Sequence, residues 1–189
     1  MAKSSTKSRK KSKARLVSSK VVYRGPVFWV TTDHVLEPGG IKVRRDLIHH
    51  SGSIVVLAVD DTGETPLVLL ERQYRHAAKD YLWELPAGRI DAGEQELQAA
   101  KRELIEETGY RAKRLKVFLE FFPTPGFLEE KMWLLLAEEL TEGEAQPEED
   151  ERIEVKAYRV NELKTMIKKG ELKDAKSIAG ILYYLTFLR

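Results

Sequence analysis

"GRIDAGEQELQAAKRELIEETGY", residues 88–110, decides how the rest of the chain is read. Asp91, Glu94 and Glu96 come first, and Glu103, Glu106 and Glu107 then crowd into one helical turn. Like charges three and four residues apart on a helix repel and weaken it. Asp91 and Glu94 have capping-box spacing, which predicts a helix from about Ala92 or Gly93 to Thr108. Gly109 supplies the left-handed stop. Leu97, Ala100 and Leu104 fall on one face of that helix and can pack on a sheet. Glu103 and Glu107 stack on a neighbouring face with Glu106 beside them, and Arg102 stands four residues before Glu106. The plainer account of such a cluster is a solvated acidic face. The alternative is a hard divalent cation, which takes oxygen ligands and offsets the repulsion.

Outward from this stretch, the flanking sequence is mostly strand-like. On the N-terminal side, "VVYRGPVFWVTTDHVLEPGGIKVRRDLIHH" (residues 21–50) alternates β-formers with turn dipeptides and reads as a small antiparallel sheet. "GSIVVLAVDDTGETPLVLLERQYR" gives a buried strand, a turn at Asp61–Gly63 and a second strand over Leu67–Gln73. On the C-terminal side, "KRLKVFLEFFPTPG", "EEKMWLLLAEEL" and "IEVKAYRV" read as strands, with an acidic loop before the last. "NELKTMIKKGEL" and "DAKSIAGILYYLTFL" read as amphipathic helices capped by Asn161 and Asp174. The pattern predicts an α+β layered domain over residues 51–189, with a small N-terminal β domain over 21–50.

The chain's length of 189 residues suits one domain with a small extension, and its 33% charged content reads as globular. Its net charge of +2 hides an asymmetry. Residues 1–20 hold six Lys, two Arg and no acid, and they are expected to be a disordered basic tail. A solvated tail is the favoured reading, over a weak contact with nucleic acid. The remaining 169 residues set 24 basic against 30 acidic side chains, which argues against a nucleic-acid groove. Zero cysteines exclude disulfides, thiolate metal sites and a cysteine nucleophile, and they fit a cytoplasmic location. No apolar run approaches a membrane span, and no signal-peptide core is present.

Gly88, Glu94, Arg102-Glu103-Leu104, Glu106-Glu107, Gly109 and Tyr110 reproduce the spacing that marks the Nudix hydrolases, with Tyr110 in place of the last aliphatic. The resemblance implies an α/β/α sandwich with a mixed sheet between helices. It implies that Glu103, Glu106 and Glu107, with the Ala87 carbonyl, hold Mg²⁺ or Mn²⁺. It also implies that Glu94 and Arg102 lock the loop–helix–loop, and that the reaction is hydrolysis of a nucleoside diphosphate linked to another moiety.

"RQYRHAAKDYLWELPAGRID" and "FFPTPGFLEEK" resemble the ADP-ribose pyrophosphatase group, including Pro125 sixteen residues beyond Gly109. Members of that group hydrolyse ADP-ribose or related ADP-sugars to AMP and ribose 5-phosphate, and they form homodimers. Resemblance to the group implies a general base in the late acidic loop, where Glu151 is the first candidate and Glu149 the second. Arg45 and Asp46 match positions that reach across the dimer to the adenine. Glu130 matches a glutamate that touches substrate or metal, with a surface position as the plainer reading. Arg75 follows a strand and either binds a phosphate through its fork-shaped donors or forms a surface ion pair. The four histidines are read as structural. Two further functions stay open: a pyrophosphatase for another nucleotide sugar such as GDP-mannose, and a non-catalytic ADP-ribose sensor.

Overall fold

The computed structural model describes residues 13–147 and 152–189. They form two compact bodies. The smaller holds the residues up to His50 together with Thr124–Glu129, and the larger holds Ser51–Pro123 and Glu130–Arg189.

In the smaller body, β1 (Arg15–Arg24), β2 (Trp29–Glu37) and β3 (Ile41–His49) form an antiparallel sheet in that order. β1 starts inside the stretch expected to be disordered; its pairing with β2, from Arg15↔Leu36 to Arg24↔Trp29, recruits Leu16, Val17 and Val21–Tyr23 into a strand. Residues 1–12, the rest of the expected tail, lie outside the described residues. Thr124–Glu129, which carries Pro125, was expected in the large domain but folds with β3. Ile48 N–H donates to the Phe127 carbonyl (2.8 Å), and Glu129 N–H donates to the Ile48 carbonyl (2.9 Å). His49 stacks on Trp29 and accepts or donates a hydrogen bond with Thr31 Oγ1 (2.8 Å).

The larger body is built around β4 (Ser53–Asp60), whose run SIVVLAVD is buried almost throughout. An unbroken apolar strand needs cover on both faces. Ile54, Val56 and Ala58 pack against Ala99, Ala100 and Leu104 of α1 (Glu96–Thr108). Val55, Leu57 and Val59 join a cluster with residues of α2 (Val160–Lys169) and α3 (Ala175–Tyr183) on the opposite face. The result is the expected sandwich, a mixed sheet between helices.

β5 (Leu67–Arg75), β6 (Asp80–Glu84), β7 (Ala87–Arg89), β8 (Arg111–Phe121), β9 (Met132–Thr141) and β10 (Glu154–Arg159) complete the sheet. Its main path runs β10-β5-β4-β9-β8, with β4 and β9 parallel. One edge of β4 is shared. Ser53–Val55 pair with β7, and only Val59 and Asp60 pair with β5. β5 then leaves β4 and pairs with β6 from Glu71↔Glu84 to Arg75↔Asp80. This fork brings β7 against α1 and leaves Glu71 of β5 beside Glu107.

α1 begins later than the Asp91–Glu94 spacing predicts. Gly93 has φ +84°, which is not helical, so Asp91–Glu94 closes a turn instead (Glu94 N–H to the Asp91 carbonyl, 3.0 Å). Gln95 caps the helix, with the Gln98 side chain accepting from its N–H (3.2 Å). Leu97, expected on the packed face, is 45% exposed, and Ala99 takes its place. α2 starts one residue before Asn161, with Glu162 accepting from the Arg159 N–H (2.7 Å). Asp174 caps α3 as expected, accepting from Ser177 N–H (2.9 Å).

Candidate active site on the acidic helix

Ala87 and Gly88 of β7 lie against the carboxylates of α1. Ala87 N–H donates to Glu107 Oε2 (3.0 Å), which ties β7 to the helix. At Gly88, a Cβ would stand 2.0 Å from the Glu103 carboxyl, so only glycine leaves room for that side chain. Arg102 binds several carboxylates at once. It donates to both oxygens of Glu94 (3.1 and 3.0 Å), to Glu103 (2.7 Å), to Glu106 (3.0 Å) and to the Arg89 carbonyl (3.0 Å). Glu94 also accepts from Asp91 N–H (3.2 Å). Gly109 ends α1 at φ +77°.

The carboxylates therefore divide into two sets. Glu103 and Glu106 share Arg102, whereas Glu107 turns inward and is 4% exposed. Beside it stands Glu71 of β5, fully buried, with no hydrogen-bond partner at either oxygen. Burial pushes the Glu107 carboxyl well above the usual carboxylate range, reinforced by Glu71 and Glu103. Burial likewise raises Glu71, opposed by its contact with Glu107. Among the described residues no three acidic or histidine side chains converge on one point as they stand.

A cleft of about 300 Å³ opens beside β7, lined by Ser53, Arg75, Ala87, Gly88, Met132 and Lys176 among others. Its basic side is anchored on one carboxylate. Arg75 donates to both oxygens of Glu84 (2.8 and 2.9 Å), Lys176 binds the same carboxylate, and Lys176 also pairs with Asp174 (3.1 Å). Glu84 is 2% exposed. Burial alone would raise it, but the bonds from Arg75 and Lys176 outweigh burial and hold it below the usual carboxylate range. Arg75 is thus both an ion-pair partner and a wall of the cleft. Glu130 accepts from Ser53 Oγ (2.5 Å), which places it next to a cleft residue. A larger hollow of about 690 Å³ between Trp83, Tyr158 and α2 holds none of the box residues.

Arg45 and Asp46 lie on β3 in the smaller body. Arg45 pairs with Glu37 (2.5 Å), and Asp46 accepts from Thr32 Oγ1 (2.6 Å) and Arg44 (3.0 Å). Glu149 and Glu151, the two candidate bases, lie outside the described residues. Sequence reasoning missed Glu71, Glu84 and Lys176. Glu71 left one trace, a carboxylate ending the apolar run "LVLLE"; Glu84 and Lys176 left none.

The NUDIX domain family profile matches residues 49–180. The chain belongs to the Nudix family. It is 33% identical over 171 residues to an ADP-ribose pyrophosphatase of Bacillus subtilis, a match spanning 89% of this chain and 91% of that one. A second ADP-ribose pyrophosphatase, from Mycobacterium tuberculosis, is 37% identical over 170 residues, covering 88% and 80%. The solved structure of an ADP compounds hydrolase superposes with a TM-score of 0.81 at 19% identity, over 96% of this chain and 97% of that one, and shares the fold. Nudix hydrolases in general use divalent metal ions, and the donor set here suits one: hard carboxylates, a glycine that admits Glu103, and buried Glu71 oxygens without a donor.

Proposed function

We propose that this Nudix protein hydrolyses the diphosphate of ADP-ribose, or of related ADP-sugars, to AMP and ribose 5-phosphate, with Mg²⁺ or Mn²⁺ as cofactor. The observation that carries the reading is the meeting of Glu103 and Glu107 with Ala87 and Gly88 of β7, which line a cleft together with Arg75 and Lys176. Relatives of that activity align across nearly the whole chain.

Glu103, Glu106 and Glu107 with the Ala87 carbonyl would hold the cation. Bound there, a hard dication supplies charge neutralisation on the diphosphate and a more acidic water. The chain's own residues do the rest. Arg75 and Lys176 present fixed positive charge to the phosphates, pre-oriented by Glu84. Arg102 and Glu94 brace the turn against the helix. Glu130, bonded to the cleft residue Ser53, would touch substrate or metal. Glu151, or Glu149, takes the proton of the attacking water. Arg45 and Asp46 of a second copy bind the adenine, which requires a homodimer built through the N-terminal β domain. The cysteine-free sequence suits the cytoplasm.

The test is to incubate the full chain with ADP-ribose and Mg²⁺ in ¹⁸O-water and to identify the products by mass spectrometry. AMP and ribose 5-phosphate are expected. Silence toward ADP-ribose with cleavage of GDP-mannose would overturn the substrate, and binding without turnover would make the protein a sensor.

A further inference from the structure

Each box glutamate accepts from an N–H donor, whereas Glu71 faces only another carboxylate, Glu107. It lies on β5, two residues after Leu69 on the face that packs against α1, and it is 0% exposed. Its preceding neighbours Val68, Leu69 and Leu70 are core residues, and an apolar side chain would continue their pattern. Both of its oxygens are buried without a partner. Directly across the β5–β6 register stands Glu84, whose oxygens are already taken by Arg75 and Lys176. On the other side stands Glu107, another carboxylate, whose one protein donor is the Ala87 N–H. Two buried carboxylates thus face each other, and among the described residues no N–H or hydroxyl donor stands between them. Buried polar groups are nearly always satisfied, and a buried carboxylate left unpaired is strongly disfavoured.

We infer that Glu71 is a further ligand of the cation site, closing it from the strand side against Glu107. The inference rests on the proposed function above and extends the donor set beyond the box. Charge supports it. Glu106 and Glu103 are partly neutralised by Arg102, whereas Glu71 and Glu107, when both are ionised, match the charge of one dication. Topology supports it too, since β5 leaves β4 near this residue and turns its side chain toward α1.

The experiment titrates the full chain with Mn²⁺ alone and follows free Mn²⁺ by electron paramagnetic resonance, with no nucleotide present. Wild type, Glu71→Gln, Glu71→Val and Glu107→Gln are compared. Glu71→Gln keeps the side-chain shape, and Glu71→Val continues the apolar strand, so at least one measurable variant folds. At least a tenfold weaker Mn²⁺ affinity is expected in both Glu71 variants. In wild-type crystals soaked in Mn²⁺, the anomalous peak should lie about 2.0–2.3 Å from a Glu71 oxygen. Unchanged affinity in a folded Glu71 variant overturns the inference and leaves Glu71 sharing a proton with Glu107. A peak beyond contact distance of Glu71 overturns it as well, even with weakened affinity. If wild type itself takes up no Mn²⁺, the proposed function fails first; if only Glu107→Gln loses binding, this inference alone fails.

Discussion

Gly88 and Glu84 show how single residues set this site. At Gly88 the space a Cβ would need is filled by the end of a flexible side chain, Glu103. Gly88→Ala should therefore displace the carboxylate rather than the backbone. Its melting temperature should stay within about 2 °C of wild type, while kcat on ADP-ribose falls roughly 10- to 100-fold. Thermal melts and steady-state kinetics check both halves. At Glu84 the effect is on stability and pH. Its carboxyl is held below the ordinary value of 4.5 in the folded chain. The stability this contributes is fully present above pH 4.5 and is lost as pH falls through the folded value. Glu84→Gln should cost about 2 kcal/mol at neutral pH, less than for a fully buried pair because Arg75 is part-exposed. It should also flatten the acid limb of the stability curve, measured by urea denaturation at stepped pH.

Among the elements, α1 is the most constrained. Its hydrophobic face is narrow, made of Ala99, Ala100 and Leu104, and its outer face is held by Arg102. Its C-terminal end is built into the loop after β9. Gln146 N–H donates to the Glu106 carbonyl (2.9 Å), and Gly109 lies against Gly143 and Ala145. A Cβ at Gly109 would stand 2.6 Å from the Gly143 carbonyl oxygen, at a φ of +77° that side chains rarely adopt. Both obstacles are backbone, so neither relaxes cheaply. Gly109→Ala should destabilise by about 1–3 kcal/mol, read from the urea midpoint. Turnover should drop more than stability alone explains, because the same loop leads on to Glu149 and Glu151.

For the whole molecule, the open question is what covers β1. Every residue of that strand is exposed, and Leu16, Val17, Val21, Val22 and Tyr23 are each about half exposed. Among the described residues β1 pairs only with β2, so its outer edge carries backbone donors and acceptors that no described strand takes up. An exposed apolar strand with an open edge favours pairing with another chain. The occupant proposed is a second copy. Light scattering on the purified chain should give twice the chain mass. Val22→Asp should shift it toward the monomer without unfolding it, since Val22 packs little within its own sheet. A dimeric mass for Val22→Asp would remove this surface from the interface.

The spacing from Gly88 to Tyr110, the Gly109 stop and the strand–helix order were legible without coordinates, because each is a local pattern with a short-range cause. The start of α1 was misread because two devices compete at Asp91–Glu94, and Gly93 decides for the turn. Leu97 was misplaced because periodicity names a face without saying how wide the contact is. The segment around Pro125 was assigned to the wrong body because its partner, β3, lies far away in the chain. Sequence by itself determined the family and the donor chemistry, since a carboxylate run with fixed intervals is a property of neighbours. Only the tertiary structure decided which carboxylates share Arg102, which basic side chains share Glu84, and that Glu71 is buried beside Glu107 without a donor. Those facts depend on how β5, β6, α1 and α3 pack, and burial exists only once distant segments meet.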